Sequence, residues 1–108
     1  MSPVVKVVQP SGILDGPKGN QLRRQMSDIV ESKPDIVLID LQDVPFMDSS
    51  GLGSLLSAMK MVRTVGGKLY ICSVNPQVKM LFELTKMDRV LESFADKDEF
   101  NKAILKTE

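Results

Sequence analysis

The run Asp35-Ile36-Val37-Leu38-Ile39-Asp40-Leu41 constrains this chain more than any other stretch. Its aliphatic residues follow one another with no polar alternation. That pattern predicts a strand buried on both faces, and such strands lie inside sheets covered by helices. Further on comes Phe46-Met47-Asp48-Ser49-Ser50-Gly51-Leu52-Gly53, after which the period changes: Leu52, Leu55, Leu56, Met59 and Val62 recur at helical spacing. Asp48 to Gly51 therefore sits where a strand hands over to a helix, the edge of an open α/β sheet at which sites usually lie. Asp48 or Ser49 can serve as the N-cap. Ser50 then falls in the first turn, where free amides and the positive end of the helix dipole favour an anion.

On a wheel of roughly 100° per residue, Leu52, Leu55, Leu56, Met59 and Val62 occupy one side of this helix, and Ser50, Ser54, Ser57 and Met61 the other. The second face is small and smooth, with one apolar tip. A solvent face carrying a stray methionine is the simpler reading, since single exposed apolar residues are common. The alternative is a docking surface with Ser50 at its edge.

The rest of the chain reads as one domain, residues 1–108. Val4 to Val8 predicts a strand. Gln9-Pro10-Ser11-Gly12 is turn chemistry, and Ile13-Leu14 a short second strand expected to pair antiparallel with the first. A first helix follows Asp15-Gly16-Pro17, burying Leu22, Met26, Ile29 and Val30, and ends near Lys33-Pro34. After the second helix, Gly66 or Gly67 supplies the left-handed C-cap. Lys68 to Val74 is another buried strand, and Asn75-Pro76 opens a third helix. Val78, Leu81 and Phe82 are its core face, with Met80, Leu84 and Met87 as a second stripe. Val90 to Phe94 predicts an edge strand. Asp96 and Glu99 suggest a capping box before a last helix burying Phe100, Ala103 and Ile104. Alternation of helix and strand from Pro17 onward argues parallel strands with right-handed crossovers.

Composition removes several classes of function. The chain has no histidine, which excludes a Ser-His-Asp triad and most zinc sites. The one cysteine, Cys72, lies in an apolar run and reads as a core residue; it cannot form an internal disulfide, which fits a reducing compartment. Lysine plus arginine equal aspartate plus glutamate at 14 each, with no long basic run, so nucleic acid and anionic membrane are poor candidate partners. Neither a signal peptide nor a membrane span is expected. Ser50 lacks a Gly-x-Ser-x-Gly elbow, Gly51-x-Gly53 lacks the rest of a P-loop, and Val7-Val8-Gln9 lacks the acidic pair of a phospho-aspartate receiver. No enzyme activity, metal or cofactor is expected.

Asp48-Ser49-Ser50-Gly51-Leu52-Gly53 directly after a hydrophobic strand resembles the signature of the bacterial anti-sigma factor antagonists, the STAS domain. Ser11-Gly12-Ile13-Leu14-Asp15 is similar to that family's Gly-x-Leu-Asp. Asn75-Pro76 and Leu84-Thr85-Lys86-Met87-Asp88-Arg89-Val90 fall where the family has a strand-exit turn and a short Leu-x-x-x-hydrophobic-Asp segment. The resemblance implies an α/β STAS-like domain. Its sheet would be mixed but mostly parallel, of about five strands with an N-terminal antiparallel hairpin, and about four helices would pack mainly on one side. It implies that Ser50 is a phosphoacceptor. An anti-sigma factor that is also a serine kinase would modify it, and a serine phosphatase would reverse the change. The unmodified protein would bind the kinase and release the sigma factor, in the cytoplasm. Ser49 is the competing acceptor. The expected partner-binding residues are Asp15, Asp48, Ser49, Ser50, Gly51, Gly53, Ser54, Ser57 and Met61. The simpler reading of Asp48 is as the helix cap alone, and Asp15 reads equally as a turn residue. The alternative function is a non-switching STAS scaffold subunit of a larger signalling or lipid-transport assembly.

Overall fold

The computed structural model describes residues 3–105. Strands β1 (Val5–Val8), β2 (Ile36–Asp40), β3 (Lys68–Cys72) and β4 (Ser93–Phe94) alternate with helices α1 (Gly16–Val30), α2 (Ser49–Thr64) and α3 (Pro76–Leu84). A short 3-10 turn, Met87–Arg89, follows α3. A last helix, α4 (Lys97–Phe100), continues as a π turn through Asn101–Leu105.

Local chemistry sets the boundaries. Asp15 caps α1, its carboxylate accepting from the Lys18 N–H at 3.2 Å. Asn75 caps α3 through the Val78 N–H at 2.9 Å, and Asp96 caps α4 through the Glu99 N–H at 2.8 Å. The Glu99 carboxylate reaches back to the Ala95 N–H rather than to Asp96 itself. At the end of α2, Gly66 adopts φ +83°. The Gly67 N–H bonds the Val62 carbonyl and the Gly66 N–H that of Arg63, both at 2.9 Å, the two bonds of a Schellman motif.

The sheet runs β1-β2-β3-β4, every pair parallel, with Val5 opposite Ile36, Ile36 opposite Lys68, and Ile71 opposite Ser93. Right-handed crossovers that always advance in one direction stack their helices on one face. There Leu22 and Met26 of α1, Leu52, Leu55, Met59 and Val62 of α2, and Val78 and Phe82 of α3 close over Val37, Ile39, Leu69 and Ile71. The alternate residues Leu38, Tyr70 and Cys72 point the other way, into a smaller core closed by Phe100 with Phe94 and Ile104. The rings of Tyr70, Phe94 and Phe100 meet with centroids 5.6 to 5.8 Å apart. Buried Asp40 faces Lys97 of α4 at 3.7 Å.

Three expectations need correction. The N-terminal antiparallel hairpin does not form, and the described sheet has four strands, not five. Leu14 instead makes a single parallel bridge with Met47. Two apolar residues offer little ladder to β1, whereas crossing to Met47 buries Leu14 to 1% exposure. The crossing is held by the Gly12 N–H on the Asp43 carbonyl. Of Val90 to Phe94, only Ser93–Phe94 is strand. In the last helix Ala103 is exposed, because the wider π turn rotates Ile104 and Leu105 inward after Phe100.

Candidate functional site: the serine turn

The turn is built by contacts that leave two serines outside. Asp48 is the N-cap of α2, accepting from the Gly51 N–H at 2.9 Å, while its own carbonyl accepts from Leu52. Ser49 and Ser50 are therefore the first and second helical residues, so their N–H groups have no partner within the helix. Both side chains are exposed, and neither hydroxyl makes a hydrogen bond among the described residues. Gly51 is buried because the Leu14 backbone lies directly on it. A Cβ at this position would overlap the Leu14 carbonyl oxygen and press on the Met47 side chain. The glycine of the Ser-Ser-Gly sequence is thus demanded by a close approach.

The segment before the turn is clamped from α3. Gln77 accepts from the Met47 N–H and donates to the Met47 carbonyl, both at 2.9 Å. Asn75 donates to the carbonyls of Val44 and Pro45 at 3.0 and 3.1 Å. These partners lie about thirty residues away in sequence, and nothing in local periodicity marks them.

The structure brings Asp15, Asp48, Ser49, Ser50 and Gly51 to one edge, since the Asp48 N–H bonds the carbonyl of Leu14 next to Asp15. Gly53 is half-buried, with the Arg23 guanidinium alongside. It does not place Ser54, Ser57 and Met61 on an open face. Ser54 is fully buried, its hydroxyl donating to the Gly51 carbonyl at 2.6 Å. A Cβ on Gly19 of α1 would stand 3.1 Å from the Ser54 Cβ. Ser57 accepts from the Arg23 Nε at 3.2 Å, and Met61 is partly buried against the main core. The smooth face is the seam on which α1 rests, and small residues there allow close helix approach. Leu56, expected in the core stripe, is only partly buried.

Two residues beside the turn are missed by the sequence reading. Ile13 and Phe46 are 53% and 46% exposed. They are brought together by the hydrogen bond from the Leu14 N–H to the Phe46 carbonyl, 3.0 Å. Each flanks the fully buried pair Leu14 and Met47, and strand alternation turns them outward. Strand alternation around Leu14 and Met47 carries that signal once their pairing is known.

Cys72 is buried, and desolvation pushes its thiol above the ordinary cysteine value. The Asp40 charge adds to this, while a hydrogen bond with Ser73 and the Lys97 charge oppose it. It is a core thiol. Among the described residues no group of side chains has metal-ligating geometry, and no helix is long and apolar enough to cross a membrane.

The chain is thus an α/β domain that presents an exposed serine pair at the capped start of α2. The profile of the STAS domain family matches residues 2–100. The chain is 32% identical over 88 residues to the anti-sigma F factor antagonist of Paenibacillus polymyxa, covering 81% of this chain and 75% of that one. It is 31% identical over 85 residues to the anti-sigma-B factor antagonist of Bacillus subtilis, covering 79% and 77%. The anti-sigma factor antagonist SpoIIAA in its unphosphorylated form superposes with a TM-score of 0.77 at 20% identity, over 95% of this chain and 90% of that one. The phosphorylated form of SpoIIAA, a Bacillus cell fate determinant, superposes at 0.70 and 19%, over 95% and 94%. The chain belongs to the STAS domain family of bacterial anti-sigma factor antagonists.

Proposed function

We propose that this domain acts as an anti-sigma factor antagonist whose binding is switched by phosphorylation of Ser50. In the unmodified state it docks through the serine turn on an anti-sigma factor that is also a serine kinase, and the sigma factor is freed. Phosphorylation by that kinase ends the docking, and a serine phosphatase restores it. The domain works by binding, in the cytoplasm, with no nucleic acid or membrane as partner and no catalysis of its own.

The observation that carries this reading is the position of Ser50. It is exposed at the second residue of a helix whose cap is supplied by Asp48, so its hydroxyl has no structural task. Relatives at about a third identity are named anti-sigma factor antagonists, and the similar fold of SpoIIAA has been solved in phosphorylated and unphosphorylated forms. Phosphate adds about −1.5 to −2 charges. At a helix start it meets free amides and is tolerated without unfolding. The Arg23 guanidinium beside Gly53 and Ser57 adds a cation one turn along the helix. At a docked interface the same group must be desolvated and takes up space. A weakening of about 3 kcal/mol already exceeds a hundredfold in affinity.

The docking surface is the serine turn with Asp15, Asp48 and Gly53 at its border, and Ile13 and Phe46 as its apolar part. The test is intact mass and site mapping on protein from its native host, followed by calorimetric affinity and unfolding midpoint on both forms. Phosphate on Ser50, lost affinity and an unchanged midpoint are expected. Equal affinities would remove the switch and leave a non-switching scaffold. Phosphate on Ser49 alone would move the site by one residue.

A further inference from the structure

Met47 occupies a strand-like position with a neighbour on each side, and only one of those neighbours, Leu14, pairs with it through backbone. On one side Leu14 bonds the flanking residues, donating to the Phe46 carbonyl and accepting from the Asp48 N–H. In a parallel bridge of this kind the N–H and C=O of Met47 itself point the opposite way. There they would be orphaned beside a fully buried side chain, a costly arrangement for backbone groups. The primary amide of Gln77 takes both: its oxygen accepts the N–H and its nitrogen donates to the carbonyl, each at 2.9 Å. A glutamine side chain therefore stands in for the missing strand. The next residue after Met47 is Asp48, the cap that presents Ser49 and Ser50.

We propose that Gln77 is the positioning residue of the serine turn, fixing the Met47 peptide and through it the geometry in which Ser50 is offered to its modifying enzyme. The proposal deepens the phosphorylation reading and rests on it for its functional consequence. Asn75 fixes the earlier carbonyls of Val44 and Pro45 but also caps α3, so its removal unsettles the helix. Gln77 caps nothing. The only hydrogen bonds of its side chain among the described residues are the two to Met47, which isolates its role.

Three variants separate positioning from simple stability. Gln77→Met keeps the volume and loses both bonds. Gln77→Ala loses both bonds and the packing. Gln77→Glu keeps the acceptor at neutral pH but sets a carboxylate against the Met47 carbonyl; once protonated, the carboxylic acid again offers one donor and one acceptor. Each protein is followed by backbone amide NMR from pH 7 to pH 4, with its unfolding midpoint. The second arm measures phosphate incorporation at Ser50 in a native-host extract supplied with ATP.

In Gln77→Met and Gln77→Ala, the Met47, Ser49, Ser50 and Gly51 amide shifts are expected to move at every pH, while those of β3 and α1 stay put. In Gln77→Glu they are displaced at pH 7 and return towards wild-type positions as its carboxyl takes up a proton. Ser50 modification is expected to slow about tenfold in Gln77→Met at a temperature where that variant is fully folded, the scale of one or two hydrogen bonds. Unmoved Ser49–Gly51 shifts, or an unchanged modification rate in folded Gln77→Met, would overturn the proposal. Wild-type protein that is never modified at Ser50 would overturn the phosphorylation reading instead, and the positioning role would then stand or fall on the NMR arm.

Discussion

The Leu14 carbonyl oxygen occupies the space that a side chain on residue 51 would need. This contact explains why the serine turn is followed by glycine, and it ties the Ile13–Leu14 segment to the start of α2. Gly51→Ala must push the Leu14 backbone away and break its bridge to Met47. A loss of about 3 kcal/mol in unfolding free energy is expected, the scale of overpacking in a rigid core. Chemical denaturation measures it, and a loss under about 0.5 kcal/mol would mean the turn yields freely.

The seam between α1 and α2 supports a second prediction. On the wheel, Met61 looks like an exposed tip that tolerates a charge. In the folded chain it packs against the core, so Met61→Glu is expected to lower stability by about 1–2 kcal/mol. Ser54→Leu, which drives a branched side chain towards Gly19, is expected to cost more. Thermal unfolding of both variants decides; an unchanged midpoint in both would place this face in solvent after all.

The exposed pair beside the turn predicts the opposite pattern. Phe46→Ser removes an aromatic ring that is nearly half exposed, so stability is expected to shift by less than about 1 kcal/mol. Affinity for the anti-sigma factor is expected to fall about tenfold or more, as for an aromatic anchor at an interface. Calorimetry on the unmodified protein reads this directly. Full affinity in Phe46→Ser would place the docking surface elsewhere on the turn.

Cys72 gives a pH dependence with a definite sign. Its thiol is held above its ordinary value in the folded chain, chiefly by burial, so the folded state keeps a proton that the unfolded state releases. The resulting stabilisation is complete below the unfolded-state value of about 8.5 and is lost as pH rises through the folded one. Denaturant midpoints are therefore expected to fall more steeply above that pH in wild type than in Cys72→Ala. Parallel curves for the two proteins would contradict the assignment.

The sequence by itself determined the alternation of helix and strand from α1 onward and where the helices begin. Asp15, Asp48, Asn75 and Asp96 cap helices through bonds that span three residues, and Gly66 closes α2 within one turn. Such contacts depend on neighbours in the chain, so a local reading finds them. It also placed Ser50 at a helix start, because a buried strand, a cap and a helical period occur there in succession. Tertiary structure alone decided which face of α2 stays open. Ser54 and Ser57 suit water and suit a close-packed helix equally well, and only the arrival of α1 over Gly19 and Arg23 makes that face a seam. It also sent Leu14 to Met47 instead of β1, and set Gln77 on the far side of the same peptide. Those choices are made between segments some thirty residues apart, by which buried backbone groups lack a partner, and no local period records that.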